Sequence, residues 1–435
     1  MPGAPAGSNE KFELCHTARA DLPRRKPSRI VPAMQRIAYL LCELKARDFE
    51  PRLLIAAALL KAGCAVVVGQ RWSMAYNGPT APQGCYLFPT ANAIQAATMA
   101  TVAQGGHIIA AADEEALALA GPAMLEILAP ESLQRAVFFA HSDLHARTVS
   151  AAFPGSTITV TGSARIDLCA AQGAAARTTA TPYVLVNTNF PLTNSVWGSA
   201  ADAQAQLNTG GLTDAAQRVA WESARREKFM PVLAWMCANL ADEIVIRPHP
   251  AENAGLWQSF AARTANVRVV IGESPGPWLA GARLVVHTDS TTGLEAAVMG
   301  RPVLNVSTEP DWGAKFVMRL INTTVISADA AIAALSAFST TGTLPPPAQT
   351  VADMYPVGGA QRTADAILGL LRAREAKPLG GDFRWQPVDR PDVLKQKITV
   401  AKAEVAESPH IKPTGATVHQ IDESLFLLVP SKRSS

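Results

Sequence analysis

Two stretches of this sequence concentrate side chains that can hold a phosphate. The first is Glu243 to Pro250, EIVIRPHP. An apolar run ends there and presents Arg247 and His249 in succession, with Pro248 and Pro250 stiffening the exit by fixing φ. A guanidinium and an imidazole side by side can both donate to a phosphate oxygen. The plainer reading is a histidine that only shapes a turn. The second stretch is Leu284 to Gly300, LVVHTDSTTGLEAAVMG. Here an apolar run passes straight into the hydroxyls of Ser290, Thr291 and Thr292 and then into a helical pattern. A helix start exposes unpaired N–H groups and partial positive charge, so hydroxyls at that place build a phosphate cradle. One Ser or Thr suffices as a helix cap, and three in a row exceed that need. Gly293 leaves room for close approach of a ligand. Glu295, on the first turns of that helix, can accept from ribose hydroxyls.

Carboxylates form a second set. Asp113, Glu114 and Glu115 follow an apolar run in the first half of the chain, as does Asp167 in Gly162 to Asp167 (GSARID). Acidic residues at a helix start need no function, because the helix dipole favours them. Asp167 has its own plain alternative, an ion pair with Arg165. Asn187 and Asn189 close another apolar run, where their amides either bind a ligand or cap the turn. His141 and His145 are four residues apart, yet no third ligand is spaced to complete a metal site. They read as structural, and no metal is expected.

These residues need strands and helices to position them. Strand-like runs appear at 36–44, 64–70, 86–89, 107–112, 136–141 and 157–161, with helical stretches between most of them. The alternation restarts at 183–188, 243–247, 267–271, 284–287, 302–306 and 323–326. Strands separated by helices imply parallel sheets with right-handed crossovers. The fold class is therefore α/β, with two Rossmann-like parallel-sheet domains facing a cleft, the GT-B arrangement. The expected division is an arm over 1–34, a first domain over 35–172, a second over 182–376 and a tail over 377–435. The Ala- and Thr-rich segment 170–182 reads as the linker. Open parallel sheets bind ligands beyond the carboxyl ends of their strands, so the cleft is the expected site.

Composition narrows the classes. Of 435 residues, 48% are hydrophobic and 17% charged, which permits a large core. Thirty-nine basic and 36 acidic residues give a net charge of +3, too balanced for a general nucleic-acid binder. The six cysteines are scattered without a CxxC pair and suggest neither disulfides nor zinc. No secretory leader and no apolar run long enough to span a membrane is visible, so a cytoplasmic location is the default. Arg24-Arg25-Lys26 falls short of a lipid-binding cluster and reads as part of a solvated arm, which leaves peripheral contact with the cytoplasmic face of an inner membrane open.

The HP element followed by the hydroxyl-rich turn resembles the nucleotide-binding pair of bacterial CMP-sugar transferases. Further stretches are similar to one narrower family, the surface carbohydrate biosynthesis proteins that include retaining β-Kdo transferases. They are Glu43 to Leu54 (ELKARDFEPRLL), Gly105 to Glu115 (GGHIIAAADEE), Thr161 to Asp167 (TGSARID) and Val186 to Phe190 (VNTNF). The likeness runs from about Arg36 to about Leu371. It implies a glycosyltransferase that moves Kdo or a related ulosonic acid from a CMP-activated donor to a surface polysaccharide or lipopolysaccharide acceptor. On that resemblance Arg247, His249, Ser290, Thr291 and Thr292 hold the CMP phosphate and Glu295 the ribose. Asn187 and Asn189 face the donor. Asp167 is the nucleophile candidate of a retaining transfer, with Glu114 or Glu115 serving the acceptor hydroxyl. No cofactor beyond the donor is implied. The alternatives are a UDP-sugar transferase or 2-epimerase of the same fold, or a non-catalytic protein of polysaccharide assembly.

Overall fold

Runs of β-branched and aromatic residues become strands wherever both faces can be covered. The structure is a computed structural model and describes residues 28–31, 36–43, 45–114, 116–176, 183–196, 198–209, 214–309, 314–374, 383–388 and 398–431. The Arg24–Lys26 run and Glu115 lie outside the described residues. After β1 (Ser28–Val31), the strands β2 (Ile37–Cys42), β3 (Ala65–Gln70), β4 (Cys85–Phe88), β5 (Ile108–Ala111), β6 (Val137–Ala140) and β7 (Ile158–Val160) build the first sheet, all parallel. Every residue of β2 and β3 is buried, as expected of parallel strands covered by helices on both faces. The second sheet holds β8 (Val184–Asn187), β9 (Ile244–Arg247), β10 (Val267–Val269), β11 (Leu284–His287), β12 (Val303–Val306) and β13 (Thr323–Val325). Its order is β10-β9-β8-β11-β12-β13, parallel throughout.

Both sheets reverse their winding once. The chain leaves β2 for β3 on one side and later adds β4 on the other; β8 does the same between β9 and β11. The crevice at such a reversal lies open beyond the strand ends, because the crossovers depart in opposite directions.

The division of the chain differs from expectation at three places. The helix Ala164–Ala176 runs on into the segment read as a linker. Gly173 on this helix meets Met299 of the second domain so closely that an added Cβ would lie 2.6 Å from the Met299 Cα. The helix Gly359–Ala373, placed by sequence in the second domain, packs on the first. Its Ala364, Ile367, Leu368 and Leu371 share a core with Leu53, Leu59 and Leu60 of the helix Glu50–Lys61. The third difference is the segment beyond 377. After β14 (Phe383–Trp385), which pairs with β1, a hairpin of β15 (Thr417–Asp422) and β16 (Leu425–Val429) joins the first sheet, with β16 antiparallel to β3. The run LFLLV is apolar at every position, so neither of its faces can stay in water. Beside β3 it is covered on both.

The domains meet through an apolar patch that includes Leu117 and Ile166 from the first and Leu294, Met318 and Ile321 from the second. Among the described residues no helix is long and apolar enough to cross a membrane.

If the hairpin is part of the first core, Phe426→Ala costs about 3–5 kcal/mol, the usual loss for a buried aromatic. Urea denaturation reads this directly, and a loss below about 1 kcal/mol would show the hairpin to be dispensable.

Candidate functional site

The carboxyl ends of β9, β8 and β11 lie side by side, with Asn187 in register with Arg247 on one neighbour and with His287 on the other. This is the winding reversal of the second sheet. The Asn187 amide donates to Thr292 Oγ1 at 2.9 Å, and Thr292 Oγ1 lies 2.9 Å from Ser290 Oγ. Asn187 Oδ1 is buried and has no partner. Asn189 donates to the carbonyls of Thr288 and Asp289 at 3.4 and 3.3 Å. The sequence-predicted residues Asn187, Asn189, Ser290 and Thr292 are thus in one place. Thr291 stands beside them, exposed and without a side-chain cap bond.

The turn that carries these hydroxyls is braced from beneath. Asp289 holds a left-handed backbone (φ 50°), which a non-glycine residue adopts only with support. Its carboxylate accepts from Asn305 Nδ2 at 3.0 Å and from Ser307 Oγ at 2.7 Å, and its N–H donates to Asn305 Oδ1 at 2.9 Å. His287 Nδ1 accepts from the Ser290 N–H at 3.0 Å, so Nε2 carries the proton and donates to Asn322 Oδ1 at 3.0 Å. Burial pushes the His287 pKa down to about 4, which keeps the ring neutral. Gly293 is required for this packing. A Cβ there would fall 2.2 Å from His287 Nε2, so the glycine makes room for the histidine rather than for a ligand. Arg225, buried, donates to the carbonyls of Thr288 and Asn189, both at 3.2 Å.

Arg247 and His249 flank the cradle. Arg247 donates through Nη2 to the Glu273 carbonyl at 2.5 Å, and its buried Nε has no partner. His249 is exposed. Its Nδ1 accepts from the Ala251 N–H at 3.2 Å, which places the proton of the neutral ring on Nε2. Crowding by surrounding protein lowers its pKa, with Glu252 opposing. Sequence reasoning missed Glu252, which fixes this loop. Its buried carboxylate accepts from Thr188 Oγ1 (2.8 Å), Phe190 N (3.0 Å), His249 N (3.2 Å), Asn194 Nδ2 (3.3 Å) and Trp257 Nε1 (2.8 Å). The HPAEN spacing carried the signal, since a glutamate three residues after the histidine can fold back on its N–H.

The first domain brings its own edge to the cleft. Glu114 is buried, its N–H donating to the Pro89 carbonyl and its carboxylate 3.4 Å from Arg52 Nη1. Arg52 Nη2 and Thr90 Oγ1 are buried without partners there. Asp113 caps the Ala116 N–H at 3.1 Å, and its other oxygen is 3.8 Å from His145 Nε2. His145 and His141 stack with ring centroids 4.0 Å apart, and burial takes His145 to about pKa 4. Among the described residues no group of three ligands could hold a metal ion.

Asp167 is differently employed from either sequence reading. Its carboxylate accepts from the N–H groups of Gly358 (2.5 Å), Gly359 (3.1 Å) and Ala360 (2.7 Å), capping the helix Gly359–Ala373. Both oxygens are occupied, so it is not presented as a nucleophile. Its supposed partner Arg165 reaches across to Glu295 instead, with Nε 2.9 Å from Oε1 and Nη2 on the same oxygen. Glu295, read as a ribose ligand, is therefore ion-paired with the opposite domain.

No protein-family model matches the chain, and no curated protein matches it. Solved structures are similar over most of its length. UDP-GlcNAc 2-epimerase from Methanocaldococcus jannaschii is 12% identical with a TM-score of 0.48, covering 78% of this chain and 100% of that one. The enzyme from Neisseria meningitidis bound to UDP-GlcNAc is 11% identical with a TM-score of 0.46, covering 78% and 100%. The wall teichoic acid polymerase TagF is 9% identical with a TM-score of 0.43, covering 78% and 89%. At such identities chemistry must be argued from this chain's own side chains.

Two outcomes follow from the geometry. Asp167→Ala strips three N–H groups of their acceptor and costs about 1–3 kcal/mol, read as a lower denaturation midpoint; an unchanged midpoint would show that the cap does not matter. His145 and His287 bind protons in the unfolded chain below pH 6.5 but in the folded one only near pH 4. The unfolded state therefore holds more protons across that window, and stability drops as pH falls through it. Denaturation at stepped pH should show the midpoint decreasing from pH 6.5 to 4.5.

Proposed function

We propose that the chain is a nucleotide-sugar-dependent glycosyltransferase of the GT-B type, with the donor's phosphate seated at the winding reversal of the second sheet. The observation that supports it most is the convergence of Asn187, Ser290 and Thr292 at one place, with the buried Asn187 Oδ1 left without a partner and Arg247 and His249 following the neighbouring strand. Buried polar atoms are costly unless satisfied, so an unsatisfied group at a cleft edge favours a ligand that supplies its partner. Asn187 Oδ1 accepts, so it suits a hydroxyl or amine of the donor, while the threonine and serine hydroxyls, Arg247 and His249 Nε2 suit phosphate oxygens.

The finer reading is a CMP-activated ulosonic acid as donor and a surface saccharide as acceptor. It rests on the resemblance carried by the HP and Ser-Thr-Thr elements. In the transfer, the bond between the anomeric carbon and the phosphate oxygen breaks, and its electron pair leaves with the nucleotide. The acceptor oxygen forms the new bond and gives up its proton. With Asp167 engaged as a cap, Glu114 is the described carboxylate best placed to assist that proton, next to Arg52 at the first-domain edge. Charge on the departing phosphate is met by fixed donors in the cleft.

Calorimetric titration with CMP, UDP and GDP tests the assignment. Selective CMP binding, weakened about tenfold or more in His249→Ala and in Thr292→Val, is expected from the loss of charge-assisted hydrogen bonds. Preference for UDP would replace the ulosonate donor by a UDP-sugar, and failure of all three to bind would overturn the nucleotide reading. Glu114→Gln should keep donor affinity and lose turnover by at least about a hundredfold, the scale of a lost general base.

A further inference from the structure

A charged contact joins the two candidate edges directly. Arg165, on the first turn of the helix Ala164–Ala176, is paired with Glu295, on the helix Thr292–Val298. Their side chains are only 19% and 12% exposed. Both guanidinium contacts fall on Oε1 of Glu295. Desolvating such a pair offsets most of what its attraction contributes, so stability alone is a weak reason for it.

Its surroundings point to a ligand. Thr292 and Glu295 are three residues apart on one helix and so share a face. A phosphate held by the Thr292 hydroxyl would sit within a turn of the Glu295 carboxylate, and two anions that close repel strongly in a part-buried cleft. A cation beside Glu295 relieves that repulsion, and Arg165 is already paired with it. It is poised among charges of both domains, since Glu114 as well as Glu295 favours its charged form while Glu295 also acts on Arg247.

We propose that Arg165 is a phosphate ligand supplied from the first domain across the cleft. This rests on the nucleotide-sugar reading of the second-domain cradle. When a nucleotide ester binds, the planar guanidinium shares its donors between Glu295 and the phosphate oxygens, a geometry suited to both. Glu295 then has an oxygen free for the ribose or sugar hydroxyls. The contact strengthens during transfer, because the phosphate gains a negative charge as the glycosidic oxygen departs with the electron pair. The site is assembled only when the domains are apposed, so the donor's phosphate reads the closed cleft.

The test compares a nucleotide with its nucleoside, using whichever base the wild-type protein prefers. The ratio of the two affinities isolates the phosphate's share. In Arg165→Gln the nucleotide should bind about 10- to 100-fold more weakly, the worth of a hydrogen bond to a charged group, while the nucleoside changes less than about twofold. Arg165→Lys should recover only part of the loss. The double variant Arg165→Gln/Glu295→Gln separates ligand from screen. A ratio that stays low supports direct contact, whereas a ratio restored to the wild-type value means that Arg165 only masks Glu295 and overturns the proposal. An unchanged ratio in Arg165→Gln overturns it as well and leaves the nucleotide reading intact. If the wild-type protein binds no nucleotide, that reading fails and this one with it. Circular dichroism of each variant confirms that it is folded.

Discussion

The carboxylate of Asp167 gathers three consecutive backbone N–H groups at the start of the helix Gly359–Ala373, and much of the molecule depends on that contact. It fixes where the chain returns from the second domain to the first. A carboxylate against the positive end of a fifteen-residue helix is favoured by charge and by hydrogen bonding at once. Because Asp167 is anchored, the helix that bears it is anchored too, and Arg165 two residues earlier is held toward Glu295. The tight fit of Gly173 against Met299 seats the far end of the same helix on the second domain.

On the other side of the cleft, buried polar groups replace apolar packing as the means of precision. The turn at 288–292 is stiff because Asp289 bonds to Asn305 and Ser307 beneath it, while His287 accepts from the Ser290 N–H and is itself held by Asn322. The loop after β9 is stiff because Glu252 accepts five hydrogen bonds from residues on both sides. Such networks hold few alternative geometries, since any shift leaves a buried donor or acceptor unmatched. Two of the buried groups left unmatched, Asn187 Oδ1 and Arg247 Nε, lie at the strand ends where a ligand would arrive.

Much of this was legible in the sequence because it is local. The strands of both sheets follow from apolar runs closed by glycine, proline and asparagine, and the cradle from hydroxyls placed directly after a strand. What the sequence left hidden is long-range. Asp167 and Gly358 are far apart along the chain, and no periodicity announces that one caps the other. The run LFLLV announced burial but not its partner, since an apolar run carries no label for the strand it will lie beside. Arg165 looked like the neighbour of Asp167 because it is near in sequence, and only the apposition of the domains shows that it serves Glu295. Gly293 was read from its proximity to the hydroxyls as space for a ligand. The histidine beneath it uses that space.

The hairpin on β3 has a consequence for how the molecule comes into being. Strand β3 ends at Gln70, and the strand that covers its edge begins at Leu425. The first domain is synthesised first yet completed last, because its edge must wait while the whole second domain is made. Contacts of such separation close slowly, and until then β3 offers an unpaired, largely apolar edge to any other chain. Aggregation during synthesis is thus a hazard written into the topology, and it falls on the domain that would otherwise have had the longest time to fold.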